Sequence, residues 1–199
     1  NTYSIPIPKL NGIKVFDNYP LKSLLDYIDW SPFFHAWEMK GVYPRILNDK
    51  IVGSEARILL NDGKKLLNQL ISEKWVTAKA VIGIHPAYAI DESVICNHQE
   101  FYFPRQLINK GIGEINYSLA DFIAPENDYL GTFAVTTGHG LEKIVKKFED
   151  EQDDYNAIMV KVLADRLAEA FAERLHEEIR MKYWGYSPNE KLTPTERIK

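Results

Sequence analysis

From Asp153 to about Tyr183 the chain contains neither glycine nor proline, and Ala, Leu, Glu, Lys and Arg dominate. Such a run has high helix propensity throughout. Asp153 and Asp154 put negative charge at its start, where the helix dipole favours it. Leu163, Leu167, Ala170, Phe171 and Leu175 recur at helical spacing and make one apolar stripe. The spacing predicts one long helix over about 153–183 that needs a partner layer to cover the stripe.

Residues 54–74 give a second helical pattern, with Ala56, Leu59, Leu60, Leu66, Leu67, Leu70 and Ile71 on one face. The middle of the chain changes period. KAVIGIHPAYAI, ESVICN and DYLGTFAVTT are short β-branched and aromatic runs bounded by Pro, Gly and Asp, and they predict antiparallel strands. INYSLADFIAP between them fits either a strand or a helical turn. Residues 1–20 carry three prolines and predict an extended, surface-hugging lead-in. Ser31-Pro32 predicts a helix start, serine as the cap and proline in the first turn, running through PFFHAWEMK to Gly41. Mixed elements in this order predict an α+β fold in a single domain.

With 199 residues and a net charge of −4, the chain is large enough for a real core and a poor match for a nucleic-acid partner. Its apolar runs are too short to span a bilayer, so no membrane role is expected. A single cysteine, Cys96, excludes an intrachain disulfide and makes a reducing, cytoplasmic setting the default.

Asp165 and Glu169 lie four apart, so both carboxylates leave one face of the long helix and repel unless a positive group sits between them. A bound cation, sulfonium or amine would serve; so would a solvated face with Lys161 and Arg166 nearby. The histidines form no ligand pair, and LHEEIR has Arg180 where a zinc helix needs its second histidine, so no metal site is expected. Cys96 and His98 would share a face in a strand, which permits a thiol–imidazole pair; a small buried thiol is the plainer role. TTGHG at 136–140 reads as a loop. Finally, YIDWSPFFHAWEMKGVYP sets six aromatic rings around a single early acid, Asp29. A core accounts for the rings but not for a carboxylate directly before Trp30.

YIDWSPFF at 27–34, KGVYPRIL at 40–47, LADFIAP at 119–125 and DDYNAIMVKVLADRLAEAFAERLHEEIRMKYWGYSPNE at 153–190 together resemble the activation domain of cobalamin-dependent methionine synthase. The resemblance implies a C-shaped α+β domain over 1–199, with a bent antiparallel sheet flanked by helices. It implies binding of S-adenosylmethionine (AdoMet) and reductive remethylation of cob(II)alamin, with the cobalamin held by a neighbouring module. The electron would come from a flavodoxin-type donor. The resemblance assigns Asp29 to the AdoMet ammonium, Glu169 to the AdoMet site and Asp165 to contact with the corrinoid module. In the family, an arginine-bearing segment that grips the AdoMet carboxylate follows the region matching TERIK. The chain ends at Lys199 before it, so the expectation is a domain lacking its C-terminal part. The alternative is a docking module of the same fold that binds a corrinoid protein without AdoMet.

Overall fold

The computed structural model describes residues 4–108, 110, 111, 113–192 and 196. Nine strands and α-helices follow in chain order among these residues, beside shorter helical turns: β1 (Gly12–Tyr19), α1 (Ser31–His35), α2 (Gly53–Ser72), β2 (Thr77–Ile90), β3 (Ser93–Cys96), β4 (Gln99–Tyr102), β5 (Asp128–His139), α3 (Leu141–Asp150) and α4 (Asp154–Glu178). The strands form one open sheet in the order β1-β2-β3-β4, with β5 also pairing β2. This is the expected α+β class. The segment expected to be a surface lead-in joins the sheet through β1.

The chain divides into two compact units, Val15–Ala80 with Ala134–Glu177 and Lys191–Lys199, and Asn1–Lys14 with Val81–Phe133 and Glu178–Glu190. In the first unit α4 supplies the core. Met159, Val160, Leu163, Leu167, Phe171 and Leu175 are all essentially inaccessible, which places the predicted stripe in the interior. Burial of each such side chain contributes about 1.5–3 kcal/mol. Thr137, also buried, donates from Oγ1 to the Ala164 carbonyl at 2.7 Å and ties β5 to the middle of α4. Helix α2 buries six of its seven predicted stripe residues; Ile71 is half-buried.

In the second unit β2, β3 and β4 form an antiparallel meander, with Ala87 opposite Cys96 and Val94 opposite Phe101. Ala87, Val94, Cys96 and Ala120 make its small core, with Phe103, Ile123 and Leu130 packed against it. The undecided LADFIAP segment begins with a helical turn, Leu119–Phe122. Asp121 fixes it. Its carboxylate takes two parallel bonds from Arg105, at 2.6 and 2.8 Å, and one from the Ser118 N–H at 2.9 Å.

Those bonds, the Arg105 pair first, hold the Asp121 carboxyl at about 2, below its ordinary 3.8. A lowered folded value stabilises above the unfolded value and is lost as pH falls through the folded one. We therefore expect the clamp to hold above about pH 4 and to release as pH falls through about 2. A carboxyl chemical-shift titration of Asp121 checks this; a midpoint near 3.8 would show that the pair contributes nothing.

Several boundaries differ from expectation. Helix α1 ends at His35 instead of reaching Gly41, because Glu38 adopts a left-handed conformation (φ 59°) and the Met39 N–H folds back to the Phe34 carbonyl. The long helix finishes in a π-helical turn, Ile179–Tyr183. The expected loop TTGHG is the end of β5 plus Gly140, which opens α3 at φ 99°. A Cβ there would sit 2.5 Å from the Trp75 carbonyl oxygen, so both the conformation and the space demand glycine. Helix α3 and strand β4 were not anticipated. Leu141, Ile144, Val145 and Phe148 carry a helical signal for α3. Strand β4 carries none, since all four of its residues are exposed.

Among the described residues no helix is long and apolar enough to cross a membrane. Nor do three or more His, Cys, Asp or Glu gather there as a metal site would require.

Candidate functional site

Asp29 lies between two anchored neighbours. On one side Tyr27 ends a helical turn and reaches α4, where its hydroxyl donates to the Glu177 carboxylate and accepts from Arg174 Nη1 at 2.6 Å. The same guanidinium lies 5.4 Å from the Tyr27 ring centre and 3.2 Å from Glu177. Burial, and then the bond to Glu177, push the Tyr27 phenol above its ordinary value, so it stays protonated and donating. On the other side Trp30 is buried, edge-on to Phe33 at 5.2 Å, with the Lys64 ammonium 5.9 Å from its ring.

The Asp29 carboxylate itself is exposed. Its Oδ1 accepts the Ser31 N–H at 2.8 Å, and its other oxygen accepts no hydrogen bond from the described residues. Trp30 holds the cap position of α1 and its side chain caps nothing, so the expected serine cap is not formed; the Ser31 N–H goes to Asp29 instead. Ser31 lies inside the helix, and its Oγ accepts the Tyr43 N–H at 3.2 Å. An exposed anion on a segment pinned at both ends can offer its second oxygen to a cation with little loss of conformational freedom.

The rings of the opening stretch are chiefly packing. Phe33 and Phe34 are fully buried, 5.5 Å apart and edge-to-face. Trp37 lies 4.9 Å from Tyr155, whose hydroxyl donates to Asp62 at 3.2 Å.

Asp165 and Glu169 do have a positive group between them, and it is Arg166. Its Nη2 meets Asp165 Oδ2 at 2.6 Å, and its Nη1 binds Glu169 Oε2. The guanidinium is mostly covered while both carboxylates stay exposed, so each acid keeps an oxygen toward solvent. No hydrogen bond or ion pair among the described residues links Asp29 to either of them. The Tyr27–Arg174–Glu177 cluster was not singled out in the sequence. Its signal is the Arg174–Glu177 spacing on the same helix, which by itself specifies no partner.

Cys96 and His98 are not a catalytic pair. Strand β3 ends at Cys96, and Asn97 and His98 form the left-handed turn into β4, so the shared face never forms. Cys96 is buried, and desolvation raises its thiol pKa, the opposite of activation.

Two comparisons bear on this site. Residues 20–199 match the family model described as "Vitamin B12 dependent methionine synthase, activation domain". The fold superposes with a TM-score of 0.91 on a crystal structure of the MetH reactivation domain bound to AdoHcy, with 42% sequence identity. That match covers 98% of this chain and 63% of the other.

Proposed function

Because the chain belongs to the family of vitamin B12-dependent methionine synthase activation domains, we propose that it is an AdoMet-binding reactivation module. It supports reductive methylation of cob(II)alamin to methylcobalamin in methionine biosynthesis. The observation that carries this reading is the AdoHcy bound to the related domain, which is AdoMet without its methyl group.

The residues present fit such a ligand. AdoMet carries an ammonium, and Asp29 presents an exposed carboxylate with one oxygen uncommitted. A charge-assisted bond there is about twice as strong as a neutral one. Glu169 adds negative charge to the AdoMet site, and Asp165 meets the cobalamin-bearing module. When bound, AdoMet supplies the methyl group. The electron comes from a flavodoxin-type donor and the cobalamin from a neighbouring module, so this chain's contribution is positioning and charge. The match covers 63% of the related domain, so part of that domain has no counterpart in residues 1–199.

Calorimetric titration of AdoMet tests the reading in two proteins: this chain, and this chain fused to the remaining part of the related reactivation domain. We expect binding in the fusion, with weaker or no binding in the chain alone. Silence in both would remove AdoMet and leave the docking module for a corrinoid protein.

A further inference from the structure

In the unit that contains α2 and α3, a cleft of about 490 Å³ opens where α2 hands over to β2 and β5 hands over to α3. Lys74, Lys79, Lys143 and His139 line it, together with Trp75 and Thr77. We propose that this cleft binds a small anion carrying two or more phosphate groups. The proposal is independent of the AdoMet reading.

Three lysines gather at this one cleft in a chain whose net charge is −4. Arg105, Lys161, Arg166, Arg174 and Arg180 each have a carboxylate partner. Lys74, Lys79 and Lys143, like Lys22 and Lys65, have none among the described residues; what sets the three apart is that they line one cleft. Glu73, next in sequence, does not serve them. Its two oxygens are taken by neutral donors, Gln69 Nε2 at 3.0 Å and Trp75 Nε1 at 2.9 Å.

Three ammonium groups lining one cleft repel one another, and an anion held among them relieves that repulsion. A carboxylate brings one negative charge, whereas a phosphate group brings about −1.5 to −2 near neutral pH. Two phosphates therefore match three lysines where a single carboxylate does not. Lysine ammoniums meet phosphate oxygens as point charges and need no fixed fork.

The local backbone reinforces this. Gly140 lines the cleft and opens α3, so the positive end of that helix faces the same space. Lys74 turns the chain out of α2 at φ 55°, which fixes where its side chain starts. Trp75, half-buried and edge-on to Phe148 at 6.0 Å, forms an aromatic wall on which a base or other flat group could lie. A volume of about 490 Å³ lies within the range of small-molecule sites.

The test is calorimetric titration of the 199-residue chain with inorganic pyrophosphate, with ADP and with an acidic poly-glutamate peptide. We expect pyrophosphate to bind, and both Lys79→Gln with Lys143→Gln and a rise in salt to weaken it roughly tenfold or more. Lys65→Gln, on the exposed side of α2, should leave it unchanged. Tighter ADP would assign the nucleoside to Trp75; equal affinities would mean that phosphate alone is read. If the double variant loses its helical circular-dichroism signal, Lys143→Gln alone, at an exposed position, replaces it. No heat with pyrophosphate, or heat that Lys143→Gln leaves unchanged, would overturn the proposal. Binding of poly-glutamate with pyrophosphate silent would overturn it too, in favour of an acidic protein partner.

Discussion

Asp29→Asn should weaken AdoMet binding by about 1.5–3 kcal/mol, the scale of a hydrogen bond to a charged group. That is roughly a 10- to 150-fold loss of affinity. The substitution is chosen because it separates the two roles the residue can play. Asparagine keeps a side-chain oxygen that accepts the Ser31 N–H, so that bond at the entry of α1 is kept. Only the charge disappears, and with it the attraction for the ligand ammonium. The melting temperature should hardly move, since Asp29 is exposed and its structural bond survives. Asp29→Ala removes both functions and should also cost about 1 kcal/mol of stability. Calorimetry on the AdoMet-competent protein decides the matter. Equal affinities for the parent and Asp29→Asn would take Asp29 out of the site and leave it as the acceptor of the Ser31 N–H.

How much of this could be read from the sequence depends on the range of the interaction. The long helix, α2 and three of the strands follow from local periodicity, which needs no knowledge of the partner layer. The class of fold follows from their order. What failed was local geometry set by tertiary contacts. Nothing in PFFHAWEMK forbids a longer helix, but Phe33 and Phe34 are both drawn into the interior and Glu38 takes the left-handed turn that follows. Strand β4 is paired only through its backbone, so its exposed side chains leave no alternation to detect. The acids of α4 show the same limit. Their spacing demands a cation, yet spacing cannot say whether it is a ligand or Arg166, two of whose bonds already satisfy part of that demand. The role of Asp29 came from a resemblance and not from its spacing. The structure adds the anchors on either side of it, and Tyr27's bond to Glu177 spans a sequence separation of 150 that no local pattern encodes.

Phe33→Ala should destabilise by about 3–5 kcal/mol, because a fully buried ring leaves a cavity that its neighbours refill only in part. The ring also explains a glycine. Gly63 sits in the middle of α2, where glycine costs up to about 1 kcal/mol relative to alanine. A Cβ at that position would lie 2.6 Å from Phe33 Cζ, so α1 packs against α2 only because the methyl is missing. The two positions should therefore couple with a change of sign. In the parent, Gly63→Ala should destabilise by about 1–3 kcal/mol through overpacking. In the Phe33→Ala background the same substitution should stabilise, since the helix gains a better former and the space is free. Urea denaturation of the four proteins measures the cycle. Additive effects would mean that the ring and the glycine do not touch.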